Sequence, residues 1–140
     1  MEQTVVILKP DCVVRWLIWN VIQRYESLGL RLIASSMENL TEDLLKEHYA
    51  HLADKPFFPK IVSYMTSAPV MVQLWEWENA VAAVRKANWA TNPAEATPWT
   101  VRWDYALTID NNIVHASENL EDARAEKERF FSWISVVQYT

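Results

Sequence analysis

The chain has 140 residues, 51% of them hydrophobic and 22% charged, which suits one folded domain with its own core and argues against disorder. Thirteen Lys and Arg against eighteen Asp and Glu give a formal charge of −5, so a broad electrostatic grip on nucleic acid is not expected. With one Gly and one Cys, no glycine-rich phosphate loop, dinucleotide fingerprint, intrachain disulfide or paired-cysteine zinc site can be written, and any nucleotide chemistry must use side chains.

In chain order, Thr4 to Leu8 is a short β-prone apolar run that stops at Lys9-Pro10-Asp11, where the proline ends ladder pairing; a buried first strand followed by a turn is predicted. From Val14 to Leu28, the residues Leu17, Ile18, Val21, Ile22 and Tyr25 recur at helical spacing and Gly29 follows as a stop signal, which predicts an amphipathic helix. Leu30 to Met37 alternates like a strand, Thr41 looks like the N-cap of a helix reaching about Leu52, and Pro56 to Tyr64 predicts another helical segment. Pro69 to Glu76 is the clearest further strand, and Asn79 to Asn88 carries Val81, Val84 and Ala87 on one helical face. A long irregular stretch containing Asn92-Pro93 and Thr97-Pro98 follows, of the length that usually serves function. Asn112 to His115 predicts a short last strand, and Leu120 to Phe131 a charged helix with Phe130 and Phe131 turned inward. The order β-α-β-α-α-β-α-loop-β-α contains a ferredoxin-like split βαβ repeat within one domain over residues 1–140. Neither a signal segment nor a long apolar run is read, so a cytoplasmic protein is expected.

His115 is the first candidate for a nucleophile or acid/base, because it ends a strand beside a polar turn; the alternative is a satisfied imidazole at a strand end. Glu126 on the next helix could hold one ring nitrogen and leave the other free to attack, or could be a solvated helix charge. Arg85, Thr91 and Arg102, from neighbouring segments, could clamp a phosphate. His48 and His51, beside Glu47, stand at a spacing that could share a metal, but no third ligand follows and a polar helix face is the preferred reading. Phe57-Phe58 could stack a base at a cleft mouth or pack in the core.

Taken together, Lys9-Pro10-Asp11, His48-Tyr49, Lys55-Pro56-Phe57-Phe58, Ala68-Pro69-Val70, Thr91-Asn92-Pro93, Thr100-Val101-Arg102 and Asn112-Ile113-Val114-His115-Ala116-Ser117 stand in the order and spacing seen in nucleoside diphosphate kinases. The chain resembles that family over its whole length. The resemblance implies an α+β fold: a ferredoxin-like βαββαβ core with an antiparallel sheet, an added helical hairpin and a long nucleotide-site loop. It implies a ping-pong exchange in which a nucleoside triphosphate such as ATP gives its terminal phosphoryl to His115 and a nucleoside diphosphate takes it. Carried over by position, Glu126 orients His115, Tyr49 sits beside it, and Arg85, Thr91 and Arg102 form the phosphate clamp. Lys9 and Asn112 reach ribose hydroxyls and phosphates, and Phe57 and Ile61 sandwich the base. Magnesium would ride on the phosphates with few or no direct protein ligands. Similar proteins assemble as hexamers or tetramers, so a homo-oligomer is expected, and neither nucleic acid nor membrane is an expected partner.

The chain departs from the family pattern systematically. Trp16, Trp19, Trp77, Trp89, Trp99 and Trp103 stand where similar proteins place Gly, and Cys12 and Ala68 replace two more. Eight Trp and one Gly together make nine, near the about ten Gly that ordinary usage gives a chain of this length. A stop codon decoded here as Trp and in the source cell as Gly would produce this pattern. If the Trp are genuine, the alternative is a catalytically inactive nucleotide-binding or scaffold protein with a disturbed cleft, or a regulatory domain for another ligand.

Overall fold

The computed structural model describes residues 1–139. Four strands, β1 (Glu2–Leu8), β2 (Arg31–Glu38), β3 (Val70–Trp77) and β4 (Val114–Ala116), form one sheet in the order β2-β3-β1-β4. Every pairing is antiparallel, with Val5 opposite Leu74 and Ile7 opposite His115. Central β1 is buried from Thr4 through Leu8, so its apolar residues divide between the two faces by simple alternation.

Helices cover both faces. On one side Val5, Ile7, Val72 and Leu74 pack with α3 (Glu42–His48), α4 (Phe58–Met65) and α7 (Leu120–Phe131) through Leu45, Phe58, Met65, Phe130 and Phe131. On the other, Val6, Leu8 and Trp75 pack with α1 (Pro10–Val14), α2 (Ile18–Ser27), α5 (Ala80–Asn88) and α6 (Val101–Tyr105) through Cys12, Val21, Tyr25, Val84 and Val101. A bulge in β2 between Leu32 and Ala34 lets the consecutive Ile33 and Ala34 both join the first core. Helices α3 and α4 are the insertion between β2 and β3, so the ferredoxin-like core with an added hairpin is what the chain forms. No helix among the described residues is long and apolar enough to cross a membrane.

The differences from the sequence expectation are local. Lys9-Pro10-Asp11 opens a helix instead of a turn, because proline's fixed φ and missing N–H suit the first helical position. The predicted helix from Val14 starts only at Ile18, after a break in which Trp16 takes a left-handed φ of 62°. Helix α3 stops at His48, short of Leu52, and turns follow. The long loop holds a short 3-10 helix at Pro93–Glu95 and the unpredicted α6, which Thr100 caps by accepting from Trp103 N. Arg24 of α2 ties this region down by donating to Trp99 O at 2.7 Å and pairing with Asp104.

Helix α7 begins where predicted, because the Asn119 side chain accepts from Asp122 N at 2.8 Å and two acidic residues occupy the first turn. Replacing Asn119 with Ala removes that cap and should cost about 1 kcal/mol, seen as a lower midpoint in thermal or urea unfolding.

Candidate active site

Register fixes where His115 points. It pairs with Ile7, so its side chain shares the face of Val5 and Ile7 and meets α3 and α7, while Val114 and Ala116 turn to the opposite core. Its Nε2 lies 2.7 Å from Glu126 Oε2. The other oxygen of Glu126 accepts from Ser117 Oγ at 2.6 Å, and that hydroxyl also accepts from Val5 N. Burial alone would raise the Glu126 carboxyl; the His115 hydrogen bond and charge, with Ser117 and Arg129, hold it below its ordinary value. With Nε2 committed to a carboxylate, Nδ1 is the nitrogen left to carry a lone pair.

His48 is buried, which overturns the polar-face reading, whereas His51 is exposed. The His48 ring packs edge-on against His115 at 4.6 Å between centroids, and against Tyr49 at 4.6 Å. Burial, with His115 and Arg129 nearby, depresses its pKa to about 2, so it stays neutral. Burial pushes Tyr49 up to about 12. His48, Tyr49, His115, Glu118, Glu126 and Arg129 line a cavity of about 440 Å³.

A second group surrounds the backbone before the histidine. Lys9 Nζ donates to Asn112 Oδ1 at 2.8 Å, and Asn112 Nδ2 donates to Thr91 O at 3.1 Å. Arg102 is buried and donates to the carbonyls of Asn112 and Val114 at 3.3 and 2.7 Å. Between them Ile113 has a left-handed φ of 74°, unfavourable for a β-branched residue. Asp11 holds it there by accepting from Ile113 N at 3.0 Å, while Tyr64 donates to the same carboxylate. Burial and Arg102 lower Lys9 to about 8, against the opposing pull of Asp11.

Other expected residues lie further out. Arg85 stacks its guanidinium 5.8 Å from the Trp89 ring and lines a larger cavity of about 890 Å³ with Thr97, Pro98 and Glu118. Thr91 is exposed. Phe57, half-exposed, and Ile61 stand one turn apart at the start of α4, and Lys60 of that helix pairs with Asp110 at 3.2 Å. His48, His115 and Glu126 bring possible ligand atoms within 4.8 Å of one another, but two nitrogens beside Arg129 make a poor seat for magnesium, which wants octahedral oxygen.

The family model described as nucleoside diphosphate kinase matches residues 2–135. The chain belongs to the nucleoside diphosphate kinase family. A relative of that name from Symbiobacterium thermophilum is 46% identical over 131 residues, 94% of this chain and 87% of its own length. One from Gallus gallus is 40% identical, across 99% and 90%. Among solved structures, the family protein from Babesia bovis superposes with a TM-score of 0.95 at 36% identity, covering 100% of this chain and 95% of that one. The halophilic nucleoside diphosphate kinase of Halobacterium salinarum, solved in complex with CDP, gives 0.94 at 37% identity, over 99% and 93%.

Sequence reasoning missed Ser117, Asp11, Tyr64 and Arg129 as parts of this kinase-family site. Ser117 follows His115 at the strand period, and Arg129 follows Glu126 by three on α7, so both signals were present. Ser117→Ala should cost about 1.5–3 kcal/mol at neutral pH, since it strips a hydrogen bond from a buried carboxylate. Glu126 titrates lower in the folded state, so this stabilisation is full above the unfolded carboxyl pKa and fades as pH falls through the folded one. Urea unfolding of wild type and variant along an acid series should show the two curves converging.

Proposed function

We propose that this nucleoside diphosphate kinase works through a phosphohistidine at His115, in two mirrored half-reactions. The Nδ1 lone pair attacks the terminal phosphorus of a nucleoside triphosphate; the N–P bond forms as the bond to the bridging oxygen breaks, and the nucleoside diphosphate leaves with that electron pair. A second diphosphate then attacks the phosphorus through its terminal oxygen and returns the electron pair to Nδ1. Glu126 steadies the positive charge that develops on the imidazole during attack. The observation that carries this reading is the 2.7 Å contact between His115 Nε2 and Glu126, backed by Ser117.

Around it, Lys9, Arg85, Thr91, Arg102 and Asn112 bind phosphates and ribose, Phe57 and Ile61 take the base, and Tyr49 helps to close the His115 cavity. Stacking on an apolar pair favours no single base strongly. Magnesium, bound to the nucleotide phosphates, would neutralise part of their charge and take few direct protein ligands on this reading. The reading includes a cytoplasmic homo-oligomer, a hexamer or tetramer, whose mass sedimentation velocity would give.

Incubation with ATP labelled at the terminal phosphate should leave acid-labile, base-stable label on the protein, lost on adding a nucleoside diphosphate. A chelator should prevent labelling. His115→Ala should take none, and label surviving that change removes His115 from the role. Because Lys9 gives up its proton near pH 8 in the free protein, kcat/KM should decline above about that pH, and Lys9→Met should lack the step.

A further inference from the structure

Arg129 lies one helical turn beyond Glu126, lines the His115 cavity and reaches across to α3. Its Nη1 is 3.0 Å from His48 Nδ1, and its Nε is 3.4 Å from Glu47 Oε1. A guanidinium only donates, so His48 Nδ1 must accept and its proton must sit on Nε2. His48 Nε2 is buried without a hydrogen-bond partner in either tautomer, and Nδ1 lies 3.8 Å from Glu126 Oε2, too long for a hydrogen bond as placed but within reach of a small shift of the ring. Arg129 is the group within hydrogen-bond distance of His48 Nδ1, so it sets which tautomer the ring holds and keeps an N–H at Nδ1 from turning toward Glu126.

We propose that Arg129 is a positioning residue for phosphoryl transfer: by locking His48 as an acceptor at Nδ1, it reserves Glu126 Oε2 for His115. This rests on the phosphohistidine reading. Without the lock, the two imidazoles would compete for one carboxylate oxygen. His115 would lose the bond that keeps its proton on Nε2 and its lone pair on Nδ1. The neutrality of His48 supports the lock, because a neutral ring has one proton to place.

The test compares Arg129→Met with Arg129→Gln, whose amide still donates, in the full-length protein. Two-bond proton–nitrogen correlation spectra report the tautomers of His48 and His115 without depending on turnover. In Arg129→Met, His48 should shift to Nδ1–H, His115 should become a tautomer mixture, and phosphohistidine formation should slow by roughly 10- to 100-fold at unchanged nucleotide KM. Arg129→Gln should keep both tautomers and most of the rate. Unchanged tautomers in Arg129→Met would overturn the proposal, as would a rate lost in Arg129→Gln with tautomers intact. Should Arg129→Met not fold, Arg129→Leu, which likewise cannot donate, takes its place and is read the same way. Wild-type label absent from His115 would sink the phosphohistidine reading and leave the tautomer result standing separately.

A separate observation carries a second inference. Trp16 and Trp99 adopt φ of 62° and 72°, a region that bulky residues avoid and glycine enters freely. They are 90% and 85% exposed, so their indoles bury little in return. Trp75, by contrast, is fully buried, donates to Gln73 Oε1 and packs edge-on against Tyr25. With one Gly in 140 residues, we infer that the source cell inserts glycine at Trp16 and Trp99. The intact mass of protein from its own cells should fall short by at least two Trp-to-Gly differences, and peptide mapping should place glycine at positions 16 and 99. In the chain as written, Trp16→Gly and Trp99→Gly should each raise Tm by about 3 °C or more, whereas Trp75→Gly should lower it. A native mass containing all eight Trp, or glycine variants that melt no higher, would end the inference.

Discussion

The site depends on keeping one carboxylate ionised inside the protein. Glu126 sits on a core-facing position of α7, where an unpaired charge would cost several kcal/mol. It is tolerated because each oxygen has a donor, His115 on one and Ser117 on the other. The same two bonds have a chemical consequence: they commit the far nitrogen of the imidazole and expose the near one. Stability and, on the proposed reading, the nucleophilicity of His115 are therefore set by a single arrangement. Ser117 also joins β4 to β1 through Val5, so loosening the carboxylate loosens the end of the strand that carries the histidine.

The backbone before His115 is under a second constraint. Ile113 holds an unfavourable φ, a conformation that costs on the order of 1–3 kcal/mol and persists only when its surroundings over-determine it. Here Asp11 holds its N–H, Lys9 N donates to its carbonyl at 2.9 Å, and Arg102 grips the carbonyls on both sides. The helix at Lys9-Pro10-Asp11 is thus an anchor for a peptide more than 100 residues later. That anchoring turns Asn112 toward Lys9 and Thr91 while His115 faces α7.

Much of this could be read from the sequence. Strand positions, the inserted helical pair, the N-cap Thr41 and the pairing of His115 with Glu126 follow from periodicity, local hydrogen-bonding groups and family-like motifs; sequence reasoning missed the Asn119 cap of α7. What could not be read depends on which elements meet. Nothing near His48 signals that α7 will lay Phe130 and Arg129 over it. Short α6 has too few residues to show a period, and Arg24 holds its Asp104 from a distant helix. Left-handed backbone is normally announced by Gly; at Trp16, Trp99 and Ile113 that mark is missing.

On the proposed reading, phosphate affinity comes from side chains that already have partners. Arg85 rests over Trp89, a cation–π contact worth about 0.5–1 kcal/mol at an exposed site. A charge-assisted hydrogen bond to phosphate is worth about 1.5–3 kcal/mol, so a nucleotide would draw the guanidinium away at modest cost. Arg102 is different: it is buried, and its bonds hold the backbone on either side of Ile113. Releasing it wholly would free the strained peptide that aims Asn112 and His115. On the proposed reading the two arginines divide the work, Arg85 as a mobile arm and Arg102 as a fixed positive charge that also braces the strand carrying His115.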